Sequence, residues 1–109
     1  MEYRLDASGL TVNGVREPRP ADQAQLLASL RQALARSPRP DVTQAGFPLL
    51  GGLVGAASYD LVRYFERLPS RARDEGDVPD AHYVAPRSVL AFDHLTRRAA
   101  LLHAGPEQE

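Results

Sequence analysis

The run Leu49-Leu50-Gly51-Gly52-Leu53-Val54-Gly55-Ala56-Ala57-Ser58 constrains this chain more than any other stretch. It is apolar, so it belongs in or against a core. Its glycines and alanines give it little to pack with, and glycine inside a strand weakens the strand. The run therefore reads as a buried strand that another backbone, or a ligand, approaches closely. A phosphate cradle does not fit. The run contains no G-x-G-x-x-G and no Gly-Lys-Ser/Thr.

Around it the periodicity changes several times. From Met1 to Arg16, Tyr3 and Leu5 alternate with Arg4 and Asp6, and Leu10 and Val12 alternate again. Asp6-Ala7-Ser8-Gly9 and Asn13-Gly14 supply turn chemistry, so the segment reads as a hairpin or meander. From Asp22 to Arg36, Leu26, Leu27, Leu30, Ala33 and Leu34 form one apolar stripe at helical spacing. Asp22 sits at the positive end of that helix, and Ser37-Pro38 stops it. Ser37 to Pro48 reads as a connection. Ser58 to Leu68 predicts a second helix, with Leu61, Val62, Phe65 and Leu68 as its stripe and Ser58 as its N-cap. Ser70 to Asp80 is a polar, acidic loop. His82 to Val84 predicts a short strand. Ser88 to Phe92 and Ala99 to His103 predict a hairpin around Asp93 to Arg98, and the tail from Gly105 is expected to fray. The sum is an α+β fold, a mostly antiparallel sheet with two main helices.

Candidate chemistry is sparse. Cysteine is absent, which excludes disulfides, thiolate nucleophiles and cysteine-ligated metals. All 13 basic residues are arginine, so no lysine can form a Schiff base. His82, His94 and His103 lack the H-x₃₋₅-H spacing of zinc sites and read as turn and strand-end residues. Asp93-His94 is a carboxylate beside an imidazole, but neighbours on a turn seldom face each other. Ser58 and Ser88 lack the G-x-S-x-G context of a nucleophile elbow. Arg71, Arg73, Arg97 and Arg98 fit solvated positions better than an anion site. Asp60 and Arg63 are spaced to pair on a helix surface or to reach a neighbouring domain. No catalytic, cofactor-binding or metal-ligating residue is assigned. This is the profile of a scaffold or accessory domain.

The stretch Phe47 to Pro69 resembles the "PF-x-GG-x-VGY-x-x-YD-x-VR-x-x-E-x-LP" segment of the N-terminal domain of anthranilate synthase component I. Val78-Pro79-Asp80 and Leu90-Ala91-Phe92-Asp93-His94-Leu95 look like that domain's "PD…FDH" continuation. The resemblance covers roughly Tyr3 to His103. Gly51, Gly52, Gly55, Tyr59, Asp60, Arg63, Glu66, Leu68 and Pro69 match the pattern. Ala56 stands where the family has an aromatic, so a large side chain is lost from the strand.

The resemblance implies several things. Gly51, Gly52, Gly55, Tyr59, Asp60 and Arg63 would serve close packing or interdomain docking. The parent would be a lyase that turns chorismate and ammonia or glutamine into anthranilate and pyruvate in tryptophan biosynthesis. Mg²⁺ and a glutamine amidotransferase subunit are implied for that parent. The equivalent domain of aminodeoxychorismate synthase and a non-catalytic partner- or effector-binding module are alternatives. The chorismate-binding domain has no counterpart in these 109 residues. The chain is therefore expected to be a piece, inactive alone, of a larger α/β sandwich. Its formal net charge of −1 argues against nucleic-acid binding by bulk charge. No apolar run approaches the roughly 20 residues that span a bilayer. Nothing near Met1 reads as a secretory signal, so the expected location is cytoplasmic.

Overall fold

Alternation builds the first sheet. In the computed structural model, which describes residues 1–40, 46–47, 51–69 and 76–105, β1 (Glu2–Asp6), β2 (Gly9–Val12) and β3 (Val15–Glu17) form an antiparallel meander. Its turns fall at the two positions the sequence marks. Asn13 takes a positive φ of 53° and Gly14 one of 74°, which suits both residues. Parts of the connection and the acidic loop, residues 41–45 and 70–75 (with Arg71 and Arg73), and the tail 106–109 lie outside the described residues. So do Pro48, Leu49 and Leu50.

α1 (Gln23–Arg36) follows the meander. Asp22 caps it, its side chain accepting from the Gln25 backbone N–H at 2.8 Å. Gln25 reaches back to accept from the Ala21 N–H at 2.9 Å, tying the residue before the cap to the helix's first turn. β4 (Val54–Ala57) and β5 (Ala81–Val84) complete a five-stranded sheet of order β3-β2-β1-β5-β4, with every pair antiparallel. β6 (Ser88–Asp93) and β7 (Arg98–His103) form a separate hairpin. The α+β expectation holds.

One sheet face carries the core. Tyr3, Leu5, Leu10, Val12 and Ala81 pack with Leu26 and Ala33 of α1, all buried. Register explains the set: Tyr3 lies opposite Val12 and Tyr83, while Leu5 lies opposite Leu10 and Ala81. Cross-strand partners share a face, so two rows of inward side chains meet one helix stripe. The Tyr3 hydroxyl and Ser29 Oγ are 2.7 Å apart, tying sheet to helix with a satisfied polar pair. Burying Leu26 alone is worth roughly 1.5–3 kcal/mol.

Four local expectations are corrected. β4 is a strand but not a buried one: all four of its residues are exposed. It is the sheet's edge, and α1 covers the β1–β2 side. The second helix is shorter and tighter than the pattern predicts, a six-residue 3₁₀ helix over Tyr59–Tyr64. Leu61 and Tyr64 pack against the core, while Phe65 and Leu68 lie beyond it and stay partly exposed. Ser58 makes no side-chain capping bond; its backbone N–H donates to the Asp80 carbonyl at 2.8 Å instead. Ala56, where a large side chain is expected to be lost from a buried strand, is exposed on the sheet's outer face, opposite His82.

Candidate functional site

The residues singled out from sequence fall on one continuous stretch, the glycine-rich approach to β4, the strand itself and the 3₁₀ helix. Gly51 and Gly52 have φ of 125° and 118°, a region that L side chains rarely adopt. They turn the chain into the edge strand. Gly55 sits in β4 opposite Tyr83, and here the neighbouring backbone is decisive. A Cβ at this position would lie 2.0 Å from the His82 carbonyl oxygen and 2.7 Å from the Tyr83 Cα. Only glycine lets β4 approach β5 this closely.

Ser58 then leads into the 3₁₀ helix, which presents three polar motif side chains. Tyr59 is 83% exposed. Asp60 and Arg63 form an i,i+3 ion pair at 3.2 Å, the Arg63 Nε donating to Asp60 Oδ1. Arg63 also donates to the Leu68 carbonyl at 3.4 Å, closing the turn that follows. The pair is exposed, so it contributes only about a few tenths of a kcal/mol. The structure therefore brings Asp60 and Arg63 together and leaves Tyr59 pointing to solvent. It spreads the glycines along the strand's approach rather than around a pocket.

The histidines are held apart. His82 Nε2 lies 2.7 Å from Glu2 Oε1 on the outer sheet face. His103 Nδ1 lies 2.7 Å from Ser88 Oγ across the second hairpin, and His94 is exposed in its turn. Asp93 does not face His94. Its carboxylate accepts from the backbone N–H groups of Leu95 and Thr96 and from the Thr96 hydroxyl at 2.6 Å. The Thr96 hydroxyl, first, and those backbone donors hold the Asp93 carboxyl below its ordinary value. Asp6 lies well below the usual carboxylate range, chiefly through Arg4, whose Nε donates to it at 2.8 Å, and then through Ser8. Both are structural turns. No group of three or more His, Asp or Glu converges among the described residues.

The pattern did not foretell the two open features. One is the exposed edge of β4, whose outward N–H and C=O groups face no described strand. The other is the apolar surface on the β6–β7 hairpin, with Leu90, Phe92 and Leu101 all exposed. Their sequence signal, unbroken apolar strands, is the same one that marks a buried strand. Chemically, such an arrangement can pair backbone and bury apolar surface. Its nearest approach to such chemistry is two separate pairs, His82 with Glu2 and Ser88 with His103, and no partner among the described residues orients the His103 ring through its Nε2.

The family model described as chorismate binding enzyme matches residues 3–109. The chain is 39% identical over 111 residues to anthranilate synthase component 1 of Thermus thermophilus, covering 98% of this chain and 22% of the relative. It is 38% identical over 78 residues to the protein of the same name from Streptomyces coelicolor, covering 70% of this chain and 14% of the relative. With that of Saccharomyces cerevisiae the figures are 40% over 62 residues, 53% of this chain and 12% of the relative. The chain thus spans about a fifth, or less, of the length of the curated relatives it matches. No solved structure gives a significant match.

Proposed function

The chain belongs to the chorismate binding enzyme family, and we propose that within it the chain forms the N-terminal structural and regulatory part of an anthranilate synthase component 1. The observation that carries this is the alignment with the Thermus thermophilus protein, which runs over 98% of the chain. The parent reaction would take chorismate and ammonia, or glutamine through an amidotransferase subunit, to anthranilate and pyruvate in the cytoplasm. Within it this chain would support the chorismate-binding part rather than carry its chemistry. Gly51, Gly52 and Gly55 would set the course of the edge strand, while Tyr59, Asp60 and Arg63 would face the adjoining part of the enzyme. No helix here is long and apolar enough to cross a membrane, among the described residues.

The magnesium implied for the parent finds no ligand set among the described residues. Among them no three His, Asp or Glu side chains come together to hold a metal ion.

A fusion in which this chain replaces the matched stretch of the Thermus thermophilus protein tests the reading. Supplied with chorismate, Mg²⁺ and ammonium, the fusion should release fluorescent anthranilate, and the isolated chain should release none. Turnover by the isolated chain, or a well-folded but silent fusion, contradicts the proposal.

A further inference from the structure

The β6–β7 hairpin is apolar on both faces, and only one is covered. Register places Leu90 opposite Leu101 and Phe92 opposite Ala99 on one side, with Val89 opposite Leu102 and Ala91 opposite Ala100 on the other. Leu102 is buried, whereas Leu90, Phe92 and Leu101 are 59%, 64% and 71% exposed. A strand pair that is apolar on both faces has the composition of strands buried on both sides.

Its tip adds charge. Phe92 and Ala99 share a cavity of about 450 Å³ with His94, Arg97 and Arg98. Asp93, the carboxylate there, is fully engaged by the turn donors of Leu95 and Thr96. Arg98 donates to Thr96 Oγ1 and lies over the Phe47 ring, while the Arg97 guanidinium has no partner among the described residues. The apolar ladder therefore ends in a cation that the hairpin itself does not neutralise.

We propose that this open face, Leu90, Phe92 and Leu101 with Arg97 at its tip, docks an apolar surface carrying a carboxylate, supplied by the remaining polypeptide of the synthase. The chain spans only 22% of the Thermus thermophilus relative, so most of such an enzyme is available to supply it. An anionic membrane is the poorer fit, because charge-driven membrane docking uses clusters of about four to eight basic residues and this chain's net charge is −1. A second copy is poorer too. Pairing two such faces would bring cations from both tips and no free carboxylate from either hairpin. The proposal rests on the family reading above, and its test separates the two.

The chain has no cysteine, so Ala99→Cys gives a single reporter on the open face. Its maleimide labelling, followed by mass spectrometry in the isolated chain and in the fusion described above, should slow at least tenfold in the fusion. Leu101→Asp should leave the isolated chain's melting temperature unchanged and abolish that protection. Arg97→Glu should weaken protection severalfold at low salt. Val15→Asp, at an exposed apolar position on β3, should do neither. An active fusion whose introduced thiol labels as fast as in the free chain overturns the docking face and leaves the functional reading standing. Protection without turnover supports the face and counts against the reading. Loss of both overturns both. Two further results would overturn the proposal in favour of another occupant, each abolished by Leu101→Asp: cosedimentation with phosphatidylglycerol–phosphatidylcholine vesicles, or a concentration-dependent dimer.

Discussion

Gly55 shows how one missing atom can fix an interface between strands. A methyl group there would meet the His82 carbonyl at 2.0 Å, and that neighbour is backbone, which cannot rotate away. Gly55→Ala should therefore destabilise the chain by roughly 3 kcal/mol, the upper part of the overpacking range, read as a lower denaturant midpoint. Gly52→Ala meets only Leu34 Cδ1 at 3.9 Å, so its penalty is the φ of 118° alone; about 1–2 kcal/mol is expected. Charge acts at the same scale. Asp6 and Asp93 have folded pKa values below their unfolded ones, through Arg4 and Ser8 and through Thr96. Their contribution is thus present above the ordinary carboxylate value near about pH 4 and is lost as pH falls through the lowered folded values. Asp6→Asn should flatten the acid limb of a stability–pH curve and leave the shape of the neutral plateau as it is. Tyr3 runs the other way. Burial raises its pKa, so the protonated phenol stabilises the fold below about pH 10 and that support disappears as pH climbs through the folded value. Thermal melts above about pH 10 should show wild type losing stability that Tyr3→Phe keeps.

At the scale of elements, the meander, α1 and the last hairpin were legible, and the reason is local. Their turn residues, caps and alternation all act within a few positions of each other. Asp22 caps α1 through a bond to a residue three positions on, so Asp22→Ala should cost about 1 kcal/mol and lower the melting temperature by about 4–8 °C. The 3₁₀ helix was legible as helical but not in its length. Its stripe of Leu61, Val62, Phe65 and Leu68 fits a longer α-helix. The chain instead tightens and stops, because only Leu61 and Tyr64 reach the core and Pro69 lies close behind. β4 was legible as a strand that lets backbone come close. It was not legible as an edge, because apolar glycine-rich composition says what a strand tolerates and nothing about which neighbours exist.

The whole molecule is looser than its length suggests. Its Cα radius of gyration is 17.0 Å, against about 13 Å for a compact domain of roughly 100 residues. The open hairpin face and the bare β4 edge are both surfaces that an isolated sheet leaves uncovered, and exposed edges and apolar patches favour association. The isolated chain should accordingly bind an environment-sensitive hydrophobic dye, and Leu101→Asp should reduce that signal; a dye-silent wild type would contradict it. The sequence by itself determined the strands, the turns, the capped helix, the absence of thiol and lysine chemistry, and the family resemblance, because each rests on residue type and short spacing. Only the tertiary structure decided that Gly55 lies against His82, and that β4 and the hairpin's second face stand open. Those facts depend on which strands become neighbours, and strand order is settled by long-range packing that no local pattern encodes.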